Sequence, residues 1–132
     1  MGTRSNTIII EDGFQLVNMY RQMDGYLDGH GADLLEFLEP ITLVNGFGQR
    51  TAGIANGAGC LAAQLIAHFK EGVGNIYLQA ITQPEIEHEN DFTYTILVED
   101  MGIALEVHEY GALIFEGTVE EFKQRIAQEK AA

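Results

Sequence analysis

Apolar and polar positions alternate with a different period in each half of the chain. Residues 7–10 are a β-branched run, Glu11-Asp12-Gly13 interrupts it, and strand-forming residues resume over 14–21, a pattern that predicts a hairpin. Three glycines between Gly25 and Gly31 predict a turn. Leu34, Leu38 and Ile41 then recur at helical spacing, so residues 32–39 read as a short helix ended by Pro40. Residues 45–59 are glycine-rich and have no helical period. Asn56 is placed to cap a second helix running to about Lys70 and stopped by Gly72. Its core sequence, CLAAQLIAHFK, is apolar or small on nearly every side, which places it inside the protein.

Period two dominates the second half. Phe92, Tyr94, Ile96 and Val98 alternate with polar neighbours, and Ile103, Leu105 and Val107 do the same. Residues 75–82, 92–99, 103–108 and 112–117 therefore predict a four-stranded antiparallel meander, with Tyr110-Gly111 as its last turn. The connection QPEIEHEND is rich in acids and is expected in solvent. Thr118 and Glu121 form a capping box, and Val119, Phe122 and Ile126 a one-sided apolar stripe, so a helix closes the chain. The predicted order is ββααββββα. This is an α+β fold in a single domain over residues 1–132, with helices segregated from a run of strands.

Composition narrows the function classes. Apolar residues make up 46% of the 132, enough to bury one core and too few residues for two. No apolar run approaches the ~18 positions of a membrane span, and the start lacks a secretory-signal pattern. Cys60 is the single cysteine, so a reducing cytoplasm is the expected location. The net charge of −13 disfavours direct contact with nucleic acid or an anionic membrane. Such acidity ordinarily serves solubility. Mimicry of a nucleic acid would require Glu99, Glu106 and Glu116 to share one solvent face.

Two segments carry a family resemblance. Y-R-Q-M-D-G-Y-L-D-G-H-G, from Tyr20 to Gly31, resembles a Y-x-x-x-D-G-Y-P-x-G-H-G signature of small proteins encoded by bacteriophages and prophages. N-G-A-G-C-L-A-A-Q-L-I-A-H-F-K, from Asn56 to Lys70, with Ile76-Tyr77-Leu78 after it, is similar to a second block of that family. The ending G-T-V-E-E-F extends the likeness over most of the chain, and Leu27 stands where proline is usual. The resemblance implies a setting, a phage or prophage accessory protein in the bacterial cytoplasm, rather than an activity.

Candidate chemistry gathers on the two glycine-rich segments. In the first, Arg21 and His30 have the right character to grip an anion, with Asp24 and Tyr26 beside them. The bland reading pairs Arg21 with Asp24, uses the glycines for positive φ and sets Tyr26 as a plug in the sheet. In the second, Arg50 and Asn56 precede a helix N-terminus. The spacing fits neither a P-loop nor a dinucleotide fingerprint, so any pocket there is of another kind. Cys60 in the first turns of a helix, followed by His88 and His108 in the sheet half, has the order of a papain-like thiol hydrolase. Free cysteine on an apolar helix is more often a small buried residue. No histidine or cysteine spacing predicts a metal site, and nothing in the sequence calls for a cofactor. The reading that follows is a non-enzymatic protein that binds a host protein or itself, with exposed sheet edges favouring a homodimer. The rivals are sequestration of a nucleotide-like anion and thiol hydrolysis.

Overall fold

The computed structural model describes residues 2–46, 52–81 and 90–132. Arg50 and His88 lie outside the described residues. The described residues form a mixed α+β fold, with three α-helices on one face of a six-stranded, mostly antiparallel sheet.

Strands β1 (Ser5–Glu11) and β2 (Phe14–Arg21) form the expected hairpin. A single π-helical turn, Leu27–Gly31, runs directly into α1 (Ala32–Leu38). The short strands β3 (Thr42–Val44) and β4 (Ile54–Asn56) pair in parallel as a small second sheet, and α2 (Gly57–Phe69) follows. Then come β5 (Ile76–Leu78), β6 (Phe92–Glu99), β7 (Gly102–Glu109), β8 (Ala112–Thr118) and α3 (Val119–Ala131).

The strand order of the large sheet, β5-β2-β1-β6-β7-β8, corrects the four-stranded meander in one respect. Strands β6, β7 and β8 are the meander, whereas β5 crosses to the other end and pairs with β2. The centre is a parallel β1–β6 pair, Ser5 opposite Phe92 through Glu11 opposite Val98. A hairpin joined to a meander needs one long crossing, and the segment from β2 to β6 provides it. That crossing carries two helices, which is why they can reach the sheet face.

All three hairpin turns have two central residues, both at positive φ: Asp12-Gly13 (50° and 86°), Asp100-Met101 (50° and 62°) and Tyr110-Gly111 (48° and 82°). This is the turn whose twist matches the right-handed twist of its strands. Met101 adopts it at a cost, since a Cβ in the left-handed region crowds the following carbonyl.

The core lies between the helices and alternate residues of the sheet. Ile9, Met19, Tyr94, Ile96, Leu105 and Val107 point to the helices and meet Leu34, Leu61, Leu65 and Phe122. Helix α2 is less enclosed than its composition suggests. Ala58, Leu61, Ala62 and Leu65 are buried, while Ala63 and Ala67 face out, where alanine exposes little apolar area. The capping box of α3 is present as read. The Thr118 hydroxyl accepts from the Glu121 amide at 3.1 Å, and the Glu121 carboxylate accepts from the Thr118 amide at 2.9 Å. On the far face an amide cluster ties the crossing down. Asn6 donates to Asn18 at 2.7 Å and to Gln79 at 2.8 Å, and Asn90 donates to Asn6.

Candidate functional site

The D-G-Y-L-D-G-H-G segment folds inward rather than presenting a loop. Gly25 donates its amide to the Thr3 carbonyl at 2.8 Å, and His30 donates its amide to Asp24 at 2.6 Å. Neither Gly25 nor Gly29 is at positive φ, so the glycines are there for close approach. A Cβ on Gly25 would sit 2.8 Å from the Arg4 backbone, and one on Gly29 would sit 2.5 Å from the Asp24 carbonyl. Without that clearance the tight π turn could not form, and the turn is what drives His30 into the core.

His30 is fully buried, with Phe69 and Tyr94 rings each 5.0 Å from its own centroid to centroid. Burial first, and the Arg21 guanidinium second, push its pKa down to about 3, so the imidazole is neutral at physiological pH. Arg21 Nη1 is a donor only, so at 3.1 Å from Nδ1 it requires that nitrogen to accept. The proton therefore sits on Nε2, which donates to Thr7 Oγ1 at 2.6 Å. The same Nη1 donates to Asp33 at 2.9 Å. Arg21 thus bridges from a core histidine to a helix carboxylate, with its guanidinium carbon 5.9 Å from the Phe69 ring centroid. Tyr94 closes the network from above by donating to the Gly25 carbonyl at 2.8 Å, and burial pushes its phenol pKa well up.

Arg21 forms the floor of a cleft of about 240 Å³, whose walls include Asp33, Glu36, His68, Phe69 and Glu71. Asp33 neutralises Arg21. Glu36 and Glu71 make no ion pair or hydrogen bond with the described residues, so the cleft is net negative at neutral pH. That electrostatic sign is the reverse of what an anion site needs.

The remaining candidates are dispersed. Asp24 and Tyr26 are exposed and bonded to each other, the phenol donating at 3.3 Å, so Tyr26 is not a plug in the sheet and Arg21 pairs with Asp33 rather than Asp24. Asn56 stands at the α2 N-cap position but makes no side-chain cap. Its Oδ1 accepts instead from the Gly46 amide at 2.6 Å and holds the neighbouring loop. Cys60 is half-buried and donates to Gln64 of its own helix at 3.7 Å. His108 alternates with Leu105 and Val107, so it lies on the face of the sheet opposite α2 and away from Cys60. No cluster of three potential metal ligands occurs among the described residues. Glu99, Glu106 and Glu116 do share the far face, and Glu106 and Glu116 stand directly opposite each other.

Sequence reasoning missed the exposed apolar side chains around β5. Four of the ten exposed large apolar side chains among the described residues fall between positions 73 and 81. Val73 is 104% exposed, Leu78 66%, Tyr77 49% and Ile81 45%. A valine between Gly72 and Gly74, in a turn that has no use for it, was the available signal. No helix among the described residues is long and apolar enough to cross a membrane. No protein-family model, curated protein or solved structure matches the chain.

Proposed function

We propose that the chain is a non-enzymatic accessory protein, of the phage or prophage kind its motifs imply, that acts in the bacterial cytoplasm by binding another protein. The observation that carries this reading is the concentration of exposed large apolar side chains on β5 and the chain either side of it, Val73, Tyr77, Leu78 and Ile81. A concentration of exposed large apolar side chains in one stretch is the mark of an interaction surface. Among the described residues, four of the polar groups that a small-ligand or catalytic reading would use are already engaged within the fold. His30 is spent on Thr7 and Arg21, Arg21 on Asp33, Asn56 on Gly46 and Cys60 on Gln64.

A homodimer formed by joining sheet edges has less support. Lys70 donates to the Ile76 carbonyl at 2.8 Å on one edge, and Arg125 donates to the Ile114 carbonyl at 2.7 Å on the other. Both bonds occupy groups that an added strand would need.

The reading is tested by affinity capture from bacterial extract with the wild-type protein, Val73→Ser/Leu78→Ser and Phe14→Ser. Phe14 is equally apolar and 67% exposed, but it sits on the β1–β2 hairpin. A protein retained by wild type and Phe14→Ser, and lost from the double variant, is the expected result. Equal retention by all three would contradict it.

A further inference from the structure

We infer that the β5 edge and the adjoining cleft dock a protein segment that carries lysine or arginine next to large apolar side chains. The inference rests on the protein-binding reading above and specifies the partner's chemistry.

Backbone pairing at this edge is nearly exhausted. The Gln22 amide donates to Asn75 and the Gln79 amide to Asn18, which makes Tyr20 and Tyr77 the directly bonded pair and turns the main chain of Ile76 and Leu78 outward. Of these, the Ile76 carbonyl takes Lys70 and the Ile76 amide donates to Gly74 at 2.7 Å. Among the described residues of β5, Leu78 alone keeps an outward amide and carbonyl, too little for an added strand. Recognition here is therefore by side chains.

Those side chains divide into two adjoining kinds. Leu78 lies on the same side of β5 as Ile76, which lines the cleft, so its exposed side chain stands on the cleft side of the edge. Tyr77 turns the other way, packs 6.1 Å from Tyr20 and holds the Lys70 ammonium 5.6 Å from its ring. On the cleft side, Glu36 and Glu71 stay unpaired among the described residues once Asp33 has neutralised Arg21. An incoming basic side chain meets two free carboxylates there, whereas an acidic one meets repulsion, with Lys70 as the nearby cation and its ammonium bonded to the Gly74 and Ile76 carbonyls. The −13 charge of the whole chain steers in the same direction.

The probe is a fluorescein-labelled peptide of alternating lysine and leucine, about ten residues long, set against its glutamate–leucine counterpart. Binding is read by anisotropy at about 0.15 M salt, where charges beyond about 8 Å are screened. The expected result is binding of the lysine–leucine peptide alone, weakened about tenfold by Val73→Ser/Leu78→Ser and about fivefold by Glu36→Gln/Glu71→Gln. Glu106→Gln/Glu116→Gln, which removes the same charge from the far face, is expected to stay within about twofold. All four of these acidic side chains and both apolar ones reach solvent, so circular dichroism and Tm should match wild type. Equal loss in the two charge variants, or binding of the glutamate peptide, would overturn the inference. Absence of peptide binding together with a wild-type dimer that Val73→Ser/Leu78→Ser makes monomeric would also overturn it. In that case the occupant is a second copy, and protein binding through this edge survives.

Discussion

The two ends of the six-stranded sheet are finished by different physics. At the β8 end, α3 lies against β7 and β8, with Phe115 5.4 Å from the buried Phe122, while Ile126 reaches the π turn at Gly31. A bulge between Val107 and His108 and the Arg125 bond to Ile114 interrupt the ladder further. The β5 end has no helix of its own. It rests on β2 and, through Arg21, on a line that runs from buried Thr7 and His30 out to the half-exposed Asp33. One end is joined to a helix by an apolar seam at Phe115 and Phe122, although Leu113 stays exposed there. The other rests on a polar scaffold and leaves Val73, Tyr77, Leu78 and Ile81 in solvent, and that concentration marks it as the end proposed to bind.

The largest expected effect lies at the seam. Phe122 is fully buried, so Phe122→Ala should cost about 3–5 kcal/mol in denaturant unfolding. A loss under about 1 kcal/mol would mean that the β8 end is loosely packed after all.

The scaffold end should instead be sensitive to acid. The folded pKa of His30 is about 3, while the unfolded imidazole titrates near 6.5. Between those values the unfolded chain binds the extra proton, so stability is complete above about pH 6.5 and falls with pH by about 1.4 kcal/mol per unit. His30→Gln, which keeps a donor and an acceptor without titrating, should lose less stability than wild type between about pH 6 and 4. Parallel pH profiles for the two proteins would contradict the buried neutral histidine.

Smaller still is the effect at the open edge. Val73→Ser/Leu78→Ser should leave Tm within about a degree, because both side chains are exposed, while weakening the lysine–leucine peptide by about 1.4 kcal/mol. A fall in Tm of several degrees would make these residues structural. Least of all, Met101→Gly should relieve a left-handed methionine and raise stability by about 0.5 kcal/mol, a gain confined to the β6–β7 turn. A loss of stability there would mean that the Met101 side chain contributes packing.

How much of this was legible depends on the range of the interactions involved. The hairpins, the capping box and the three helices are local: Asp12-Gly13, Thr118 with Glu121 and the Phe122–Ile126 stripe each declare themselves within a few residues. The parallel β1–β6 pairing and the move of β5 to β2 are not local. Tyr77 reads as a strand residue whichever partner it takes, and only the fold chooses Tyr20. The motif around His30 was visible as a motif, but its role was inverted. The histidine that sequence alone offered as a ligand group is an internal strut, because Gly25 and Gly29 let the chain pass close enough to bury it. The cleft depends on Asp33 of α1, Phe69 at the end of α2 and Glu71 just after it meeting Arg21 of β2, and no spacing rule encodes that. Val73 between two glycines was the one visible sign of the exposed side chains around β5.

The most direct test is a map of the bound peptide. Amide chemical shifts of the ¹⁵N-labelled protein, followed as the lysine–leucine peptide is added, should move over Gly72–Leu78 and at Glu36. Amides of Thr93, Glu106 and Glu116 on the far face should stay still. Shifts centred on the far face, or spread evenly over the acidic surface, would contradict the assignment of the β5 end as the docking edge.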